Sequence, residues 1–138
     1  AMLHDIGKTY VPAEILAKPG QLSDLELALI RVHPQVTYDI MKMIPFSGPV
    51  AEIAGQHHER MNGSGYPKGR RGEDIHPLAR VLAVADVVEA MSSHRPYRPA
   101  HSLEMALKEV EDNKGVLFDA DAVTVCLKLF REEGFQYT

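Results

Sequence analysis

Residues 49–72 read PVAEIAGQHHERMNGSGYPKGRRG and join an apolar helical pattern to a histidine pair and then to a loop. Val50, Ile53, Ala54, His57 and His58 recur at i, i+3, i+4, i+7 and i+8, one continuous face of a helix. The inward stripe therefore ends in two imidazoles, with Glu59 directly behind them. The stretch MNGSGYPKGRRGED that follows is dense in turn formers and predicts a loop. A core-facing helix that ends in titratable groups needs a partner in the core to satisfy them.

The rest of the chain also reads as helices. Ser23 with Glu26 makes a capping-box pattern ahead of DLELALIRVH, and Pro34 restarts a helix through QVTYDIMKM. Ser47 and Pro49 open the helix of the quoted stretch. Pro77 opens the long apolar run LARVLAVADVVEAM, Ser102 caps LEMALKEVEDN, and Asp119 caps a last helix to about Arg131. No alternating strand pattern of useful length and no internal repeat is visible, so the pattern predicts an all-α helical bundle. At 138 residues with 45% hydrophobic content, residues 1–138 are expected to form a single domain with a real core. The opening AML has no capping residue and runs straight into His4-Asp5, like the last turn of a helix that begins upstream. A domain truncated at its N-terminus would leave apolar surface around Met2 and Leu3 uncovered, which predicts a homo-oligomer.

A net charge of −4 argues against DNA as a partner of the whole surface, while leaving room for a local basic pocket. The single cysteine, Cys126, excludes an internal disulfide and suits a reducing compartment such as the cytoplasm. Its neighbours, AVTVCLKLF, suggest a buried thiol. No apolar run is long enough for a membrane span, and no signal peptide is visible.

Two further helical faces end like the first. Leu25, Leu29, Val32 and His33 share one, and Leu78, Leu82, Ala85, Asp86 and Glu89 share another. A buried carboxylate at Asp86 needs cationic or hydrogen-bonding partners. Arg80 could supply one, and any single histidine could be a hydrogen-bonded core residue. Taken together, one bound cation cluster would satisfy Asp5, Asp86 and three or four imidazoles. Mixed imidazole and carboxylate donors suit iron or manganese, with zinc, nickel or magnesium as alternatives.

The motifs HDIGK, His33-Pro34, HHERMNGSGYP and ARVLAVADVVEAMSSHRPYR, in that order over residues 3–100, resemble the HD-GYP branch of the HD-domain phosphohydrolases. The resemblance implies an HD-domain helical bundle that hydrolyses cyclic di-GMP with two or three metal ions, often iron or manganese. It implies His4, Asp5, His33, His57, His58 and Asp86 as ligands, with Asp5 bridging. Asp5, His33, His57 and His58 would hold one metal, and His4, Asp5 and Asp86 the other. Members also draw ligands from a helix upstream of HD.

The same resemblance assigns the remaining residues. Lys8 would neutralise charge on the attacked phosphate or assist the leaving oxygen, and Asp5 would be catalytic through the bridged metals. Arg95 and Arg98 resemble the family's phosphate-binding pair, a task suited to arginine's planar fork. Glu89 stands where an aspartate is more usual and would make a proton-transfer or supporting contact. Gly65, Tyr66 and Pro67 would shape the loop, which in the family is suspected of contacting signalling domains. Lys68, Arg70 and Arg71 add positive charge beside it, whereas His76, His94 and His101 fall outside the metal set. The implied activity is cleavage of cyclic di-GMP to linear pGpG and possibly GMP. An inactive nucleotide-sensing or partner-binding module and a hydrolase for another cyclic dinucleotide are the alternatives.

Overall fold

A computed structural model of the chain describes residues 2–93 and 101–136. Among these the elements are helical: a 3-10 turn Ile6–Tyr10, α1 Ala13–Leu16, α2 Asp24–Ile30, α3 His33–Met41, α4 Val50–Gln56, a 3-10 turn Gly72–Asp74, α5 Pro77–Ser92, α6 Leu103–Asp112 and α7 Ala120–Arg131. Pairing between extended backbones is limited, among the described residues, to two isolated bridges, Asn62 with Arg71 and Lys114 with Phe118.

The helix starts follow local chemistry. Ser23 closes a full capping box, its hydroxyl accepting from the Glu26 amide while its own amide donates to the Glu26 carboxylate at 2.7 Å. Ser102 caps α6 through the Met105 amide, and Asp119 caps α7 through the amides of Asp121 and Ala122. His76 caps α5, its ring accepting from the Leu78 amide at 3.1 Å, with Pro77 in the first turn.

Two small cores flank the functional region. In one, Met41 of α3 packs with Ala51 and Ala54 of α4, with Ile6 and Tyr38 alongside. In the other, Val84 and Val88 of α5 meet Ala106, Leu107 and Val110 of α6, Phe118, and Val123 of α7. Cys126 is only half-buried against this second core, and burial raises its thiol pKa. Arg80 ties α5 to the head of α7, reaching the Ile75 carbonyl at 3.0 Å and the carboxylates of Glu73 and Asp119.

Two of the three inward faces expected from the sequence are displaced. Leu25, Leu29 and Val32 are exposed at 74%, 45% and 51%, while His33 is buried at 1%. α2 ends at Ile30 and α3 begins at His33 with Pro34 in its first turn, so His33 belongs to a different helix from Leu25. On α5 the buried residues are Ala79, Ala83, Val84 and Val88, whereas Leu78 is 55% exposed and Ala85 and Glu89 face solvent. This helix is apolar nearly all round, so its period does not choose a face, and packing against α6 and α7 does. The expected face of α4 holds better, with Ala54 and His57 buried and Val50, Ile53 and His58 half-buried, but the helix ends at Gln56 and leaves both histidines just beyond it.

The N-terminal segment forms a 3-10 turn, Ile6–Tyr10, where the sequence reads like the last turn of a helix. Gly7 donates its amide to Thr37 Oγ1 at 2.9 Å, and a Cβ there would collide with the His33 carbonyl. This contact brings the 3-10 turn against the first turn of α3 and sets Asp5 beside His33.

Burial predicts unequal costs for superficially similar substitutions. Leu107→Ala should cost about 2–5 kcal/mol, while Leu25→Ser should stay within about 0.5 kcal/mol, as read from urea midpoints. Asp119→Ala should cost about 1–2 kcal/mol at neutral pH through loss of the α7 cap. The amide bond from Ala122, opposed by burial and helped by Arg80, lowers the Asp119 pKa from its ordinary 3.8. A lowered carboxylate contributes stability above its unfolded pKa and loses it as pH falls through the folded value. The Asp119→Ala deficit should therefore shrink below about pH 4, and a deficit constant from pH 7 to 3 would contradict the assignment.

Candidate metal centre

Helix ends set the histidines. The last residue of α2 offers its carbonyl, and His33 Nδ1 lies 2.7 Å from that oxygen of Ile30. His57 Nδ1 lies 2.6 Å from the carbonyl of Ala54 in the last turn of α4. Terminal helix carbonyls lack intrahelical donors, so an imidazole three residues on is a natural partner. A neutral imidazole carries a single N–H, and here the carbonyls claim it at Nδ1. In both rings Nε2 is then left with a lone pair.

Both lone pairs point at the same oxygen. Asp5 Oδ1 lies 3.1 Å from His33 Nε2 and 3.6 Å from His57 Nε2. None of these three buried atoms has a hydrogen-bond partner among the described residues. Acceptor facing acceptor at this range is stable only with a cation or extra protons between them. That set of orphaned donors fits a divalent metal.

The ligand atoms fall into two overlapping groups. Asp5, His33, His57 and His58 offer donors within 4.8 Å of one another, as do His4, His57 and Asp86. The resemblance placed Asp5 with His4 and Asp86, whereas the geometry joins these two through His57. Asp5 still borders the second group, its Oδ2 lying 3.5 Å from His4 Nε2. His4 Nε2 also lies 3.2 Å from Asp86 Oδ1.

The charge states suit ligation. Burial opposes the Asp5 charge, the Lys8 ammonium 2.6 Å away favours it, and the carboxyl is held well below the usual range. Asp86 is lowered in the same way, burial being overcome by the His4 bond and the nearby imidazoles. Burial presses His58 down to about 2, so its ring is neutral.

The other expected site residues are placed as follows. Lys8 Nζ sits 2.6 Å from Asp5 Oδ2, at the edge of the centre. Arg80 is engaged with Glu73 and Asp119 and is not the partner of Asp86. Glu89 is exposed one turn beyond Asp86 and accepts from the Ser93 hydroxyl at 2.6 Å. Tyr66 stacks on His58 with ring centroids 4.8 Å apart, and the Arg31 guanidinium lies over the same tyrosine. Gly65 lies so close to the backbone of residues 58–60 that a Cβ would overlap it, and Pro67 is exposed beyond. Arg95, Arg98 and His94 lie outside the described residues. Glu59 and Thr37 are buried beside the centre; the sequence grouped Glu59 with the histidine pair without giving it a role and did not single out Thr37. Glu59's place directly after the histidine pair was the one available signal.

A family model described as an HD domain matches residues 1–122. The chain is 37% identical over its full length to 3'3'-cGAMP-specific phosphodiesterase 3 of Vibrio cholerae, covering 30% of that protein. It is 42% identical over 93% of its length to the cyclic di-GMP phosphodiesterase response regulator RpfG of Xanthomonas campestris, covering 34%. A cyclic di-GMP phosphodiesterase of Thermotoga maritima is 41% identical over 96% of the chain, which covers 36% of it. The chain thus spans about a third of the length of these relatives. An HDG"Y"P protein from Bdellovibrio bacteriovorus shares the fold with a TM-score of 0.73 at 24% identity, over 94% of this chain and 41% of that one.

The fold is that of an all-helical domain whose clustered imidazoles and carboxylates could hold a metal ion. The chain belongs to the HD domain family. Among the described residues, no helix is long and apolar enough to cross a membrane.

His57 is common to both ligand groups, so His57→Ala should remove more bound metal than His4→Ala. Elemental analysis of purified protein after manganese loading measures this directly. Equal metal retention in the two variants would contradict the shared position.

Proposed function

We propose that the chain is the hydrolytic domain of a metal-dependent phosphodiesterase that opens cyclic di-GMP to linear pGpG. The observation that carries this reading is the convergence of His33, His57 and Asp5 with unpartnered donor atoms, beside Lys8 and the loop. Relatives named as phosphodiesterases for cyclic dinucleotides support the substrate class. The donor set lacks thiolate and favours two ions of iron or manganese.

Once held by these residues, the ions would supply Lewis acidity at the phosphoryl group and a water of lowered pKa. The chain's own part is to arrange the rest. His33 and His57 are locked by backbone carbonyls in the tautomer that presents Nε2. Asp5 offers one oxygen to them and the other toward His4 and Lys8, the arrangement of a bridging carboxylate. Lys8 can offset negative charge on the phosphate as the P–O bond to the 3' oxygen breaks and that oxygen takes a proton. Arg95 and Arg98 would grip the phosphates through paired N–H donors. Hydrolysis consumes one water and leaves a 5' phosphate and a 3' hydroxyl.

A second reading, hydrolysis of a mixed guanine–adenine cyclic dinucleotide, is favoured by the similarity to the cGAMP-specific enzyme. Rates on a panel of cyclic dinucleotides separate the two. We also assign the protein to the cytoplasm, with the loop as a contact for signalling domains. Met2, Leu3, Phe46, Val50, Ile53 and Leu82 line an apolar groove of about 400 Å³ that suits burial in a homo-oligomer. A strictly monomeric species by light scattering at high concentration would refute the oligomer.

Purified chain loaded with manganese or iron should hydrolyse cyclic di-GMP, and chelation should abolish turnover. Arg95→Ala should weaken binding of the dinucleotide about ten- to a hundredfold, the loss of a charge-assisted bond of about 1.5–3 kcal/mol, with metal content unchanged. Lys8→Ala should instead lower turnover more than binding. Binding without turnover in the fully loaded chain would favour a sensing module.

A further inference from the structure

His58 differs from the other two histidines of its ligand group. His33 and His57 are each fixed by a backbone carbonyl at Nδ1, at 2.7 and 2.6 Å. Among the described residues the His58 ring has no such hydrogen bond, and its contacts are aromatic. It packs edge-on to His33 at 5.0 Å, tilts against His57 at 4.0 Å, and stacks on Tyr66 at 4.8 Å with planes 23° apart. A metal-binding imidazole ordinarily owes its orientation to a hydrogen bond at its second nitrogen. At His58 the face of Tyr66 takes that place.

The loop that carries Tyr66 is tied back to the same residue and its neighbour. The Tyr66 amide donates to the His58 carbonyl at 3.2 Å. Gly65 lies against the backbone of His58 to Arg60, where any side chain would collide. Beyond Tyr66, the two oxygens of Glu59 accept from the amides of Lys68 at 2.8 Å and Arg70 at 2.9 Å. Glu59 is 2% exposed, and these two bonds straddle Gly69, whose φ is +63°. Carboxylate and imidazole leave adjacent residues, so the contacts close a short ring: His58, Glu59, the loop amides, Tyr66, and His58 again.

We propose that Glu59 and Tyr66 form a latch that fixes the plane of the His58 imidazole, both acting as positioning residues for the metal centre. The inference rests on the reading of His58 as a metal ligand. It goes further by giving the tyrosine and the buried glutamate a task in ligand geometry. The chemistry is selective. Glutamine at position 59 would set its amide group against one of the two backbone donors and lose that bond. Phenylalanine at position 66 would keep the flat face, and leucine would not.

Calorimetric titration of Mn²⁺ into the metal-free full chain tests the latch, together with the visible spectrum of bound Co²⁺, which reports ligand number and geometry. Tyr66→Leu and Glu59→Gln should each weaken Mn²⁺ binding by about 10–100-fold and alter the Co²⁺ spectrum. Tyr66→Phe should match the parent in both, a rescue that a merely structural role for the phenol would not produce. If Glu59→Gln fails to fold, the contrast between Tyr66→Leu and Tyr66→Phe decides alone. Parent-like affinity and spectrum in Tyr66→Leu would overturn the latch, as would equal impairment of Tyr66→Phe. Failure of the parent itself to bind either ion would remove the metal reading and the latch together. Binding by the parent with unchanged variants would remove only the latch.

Discussion

The lone pairs of His33 and His57, turned onto a single oxygen of Asp5, impose the constraint around which the rest is organised. Each imidazole has spent its one proton on a helix-end carbonyl, so neither can donate to the carboxylate 3.1 or 3.6 Å away. Without a cation this arrangement is unfavourable, and the fold works to maintain it. Gly7 permits the close approach of the 3-10 turn to α3, and the buried Thr37 hydroxyl accepts the Gly7 amide to hold it there. The break between α2 and α3 rotates His33 away from the exposed face of Leu25 and Leu29. Local structure that looks incidental, two helix ends and one glycine, delivers the electrostatics of the centre.

Helix starts were the most legible part of the fold, because a cap is a contact between residues two or three apart. Ser23, His76-Pro77, Ser102 and Asp119 lie at or beside the expected starts. Facing was less legible, for a definite reason. Periodicity reveals that a helix has an apolar stripe, but the choice of partner is a tertiary matter. On α5 nearly every position is apolar, and the deep contacts of Val84 and Val88 with α6 and α7 select a face that Leu78 does not share. On α2 the stripe is real, yet its length falls short of His33.

The site shows the same division. Histidines and aspartates in motifs are visible residue by residue, and in the structure their donor atoms fall into two overlapping groups. Their partition between groups depends on side-chain positions within a few ångströms, which spacing cannot convey. Glu59 was grouped with the histidine pair but given no role, because its partners are backbone amides nine and eleven residues further on. A backbone amide has no signature in the sequence, so a carboxylate that binds two of them looks like any polar residue beside a histidine pair.

The location of the centre between two small cores has an energetic consequence. Asp5, His33, His57 and His58 belong to the segments built around Met41, Ala51 and Ala54, while Asp86 stands on the helix that anchors the second core. Side chains of α5 toward solvent are poorly covered, with Leu78 and Val81 exposed at 55% and 52%. A cation that draws donors from both sides links the cores, and its binding free energy adds to the stability of the closed arrangement by mass action. Occupancy of the centre and cohesion of the domain are then one equilibrium, set by the six side chains of the two donor groups.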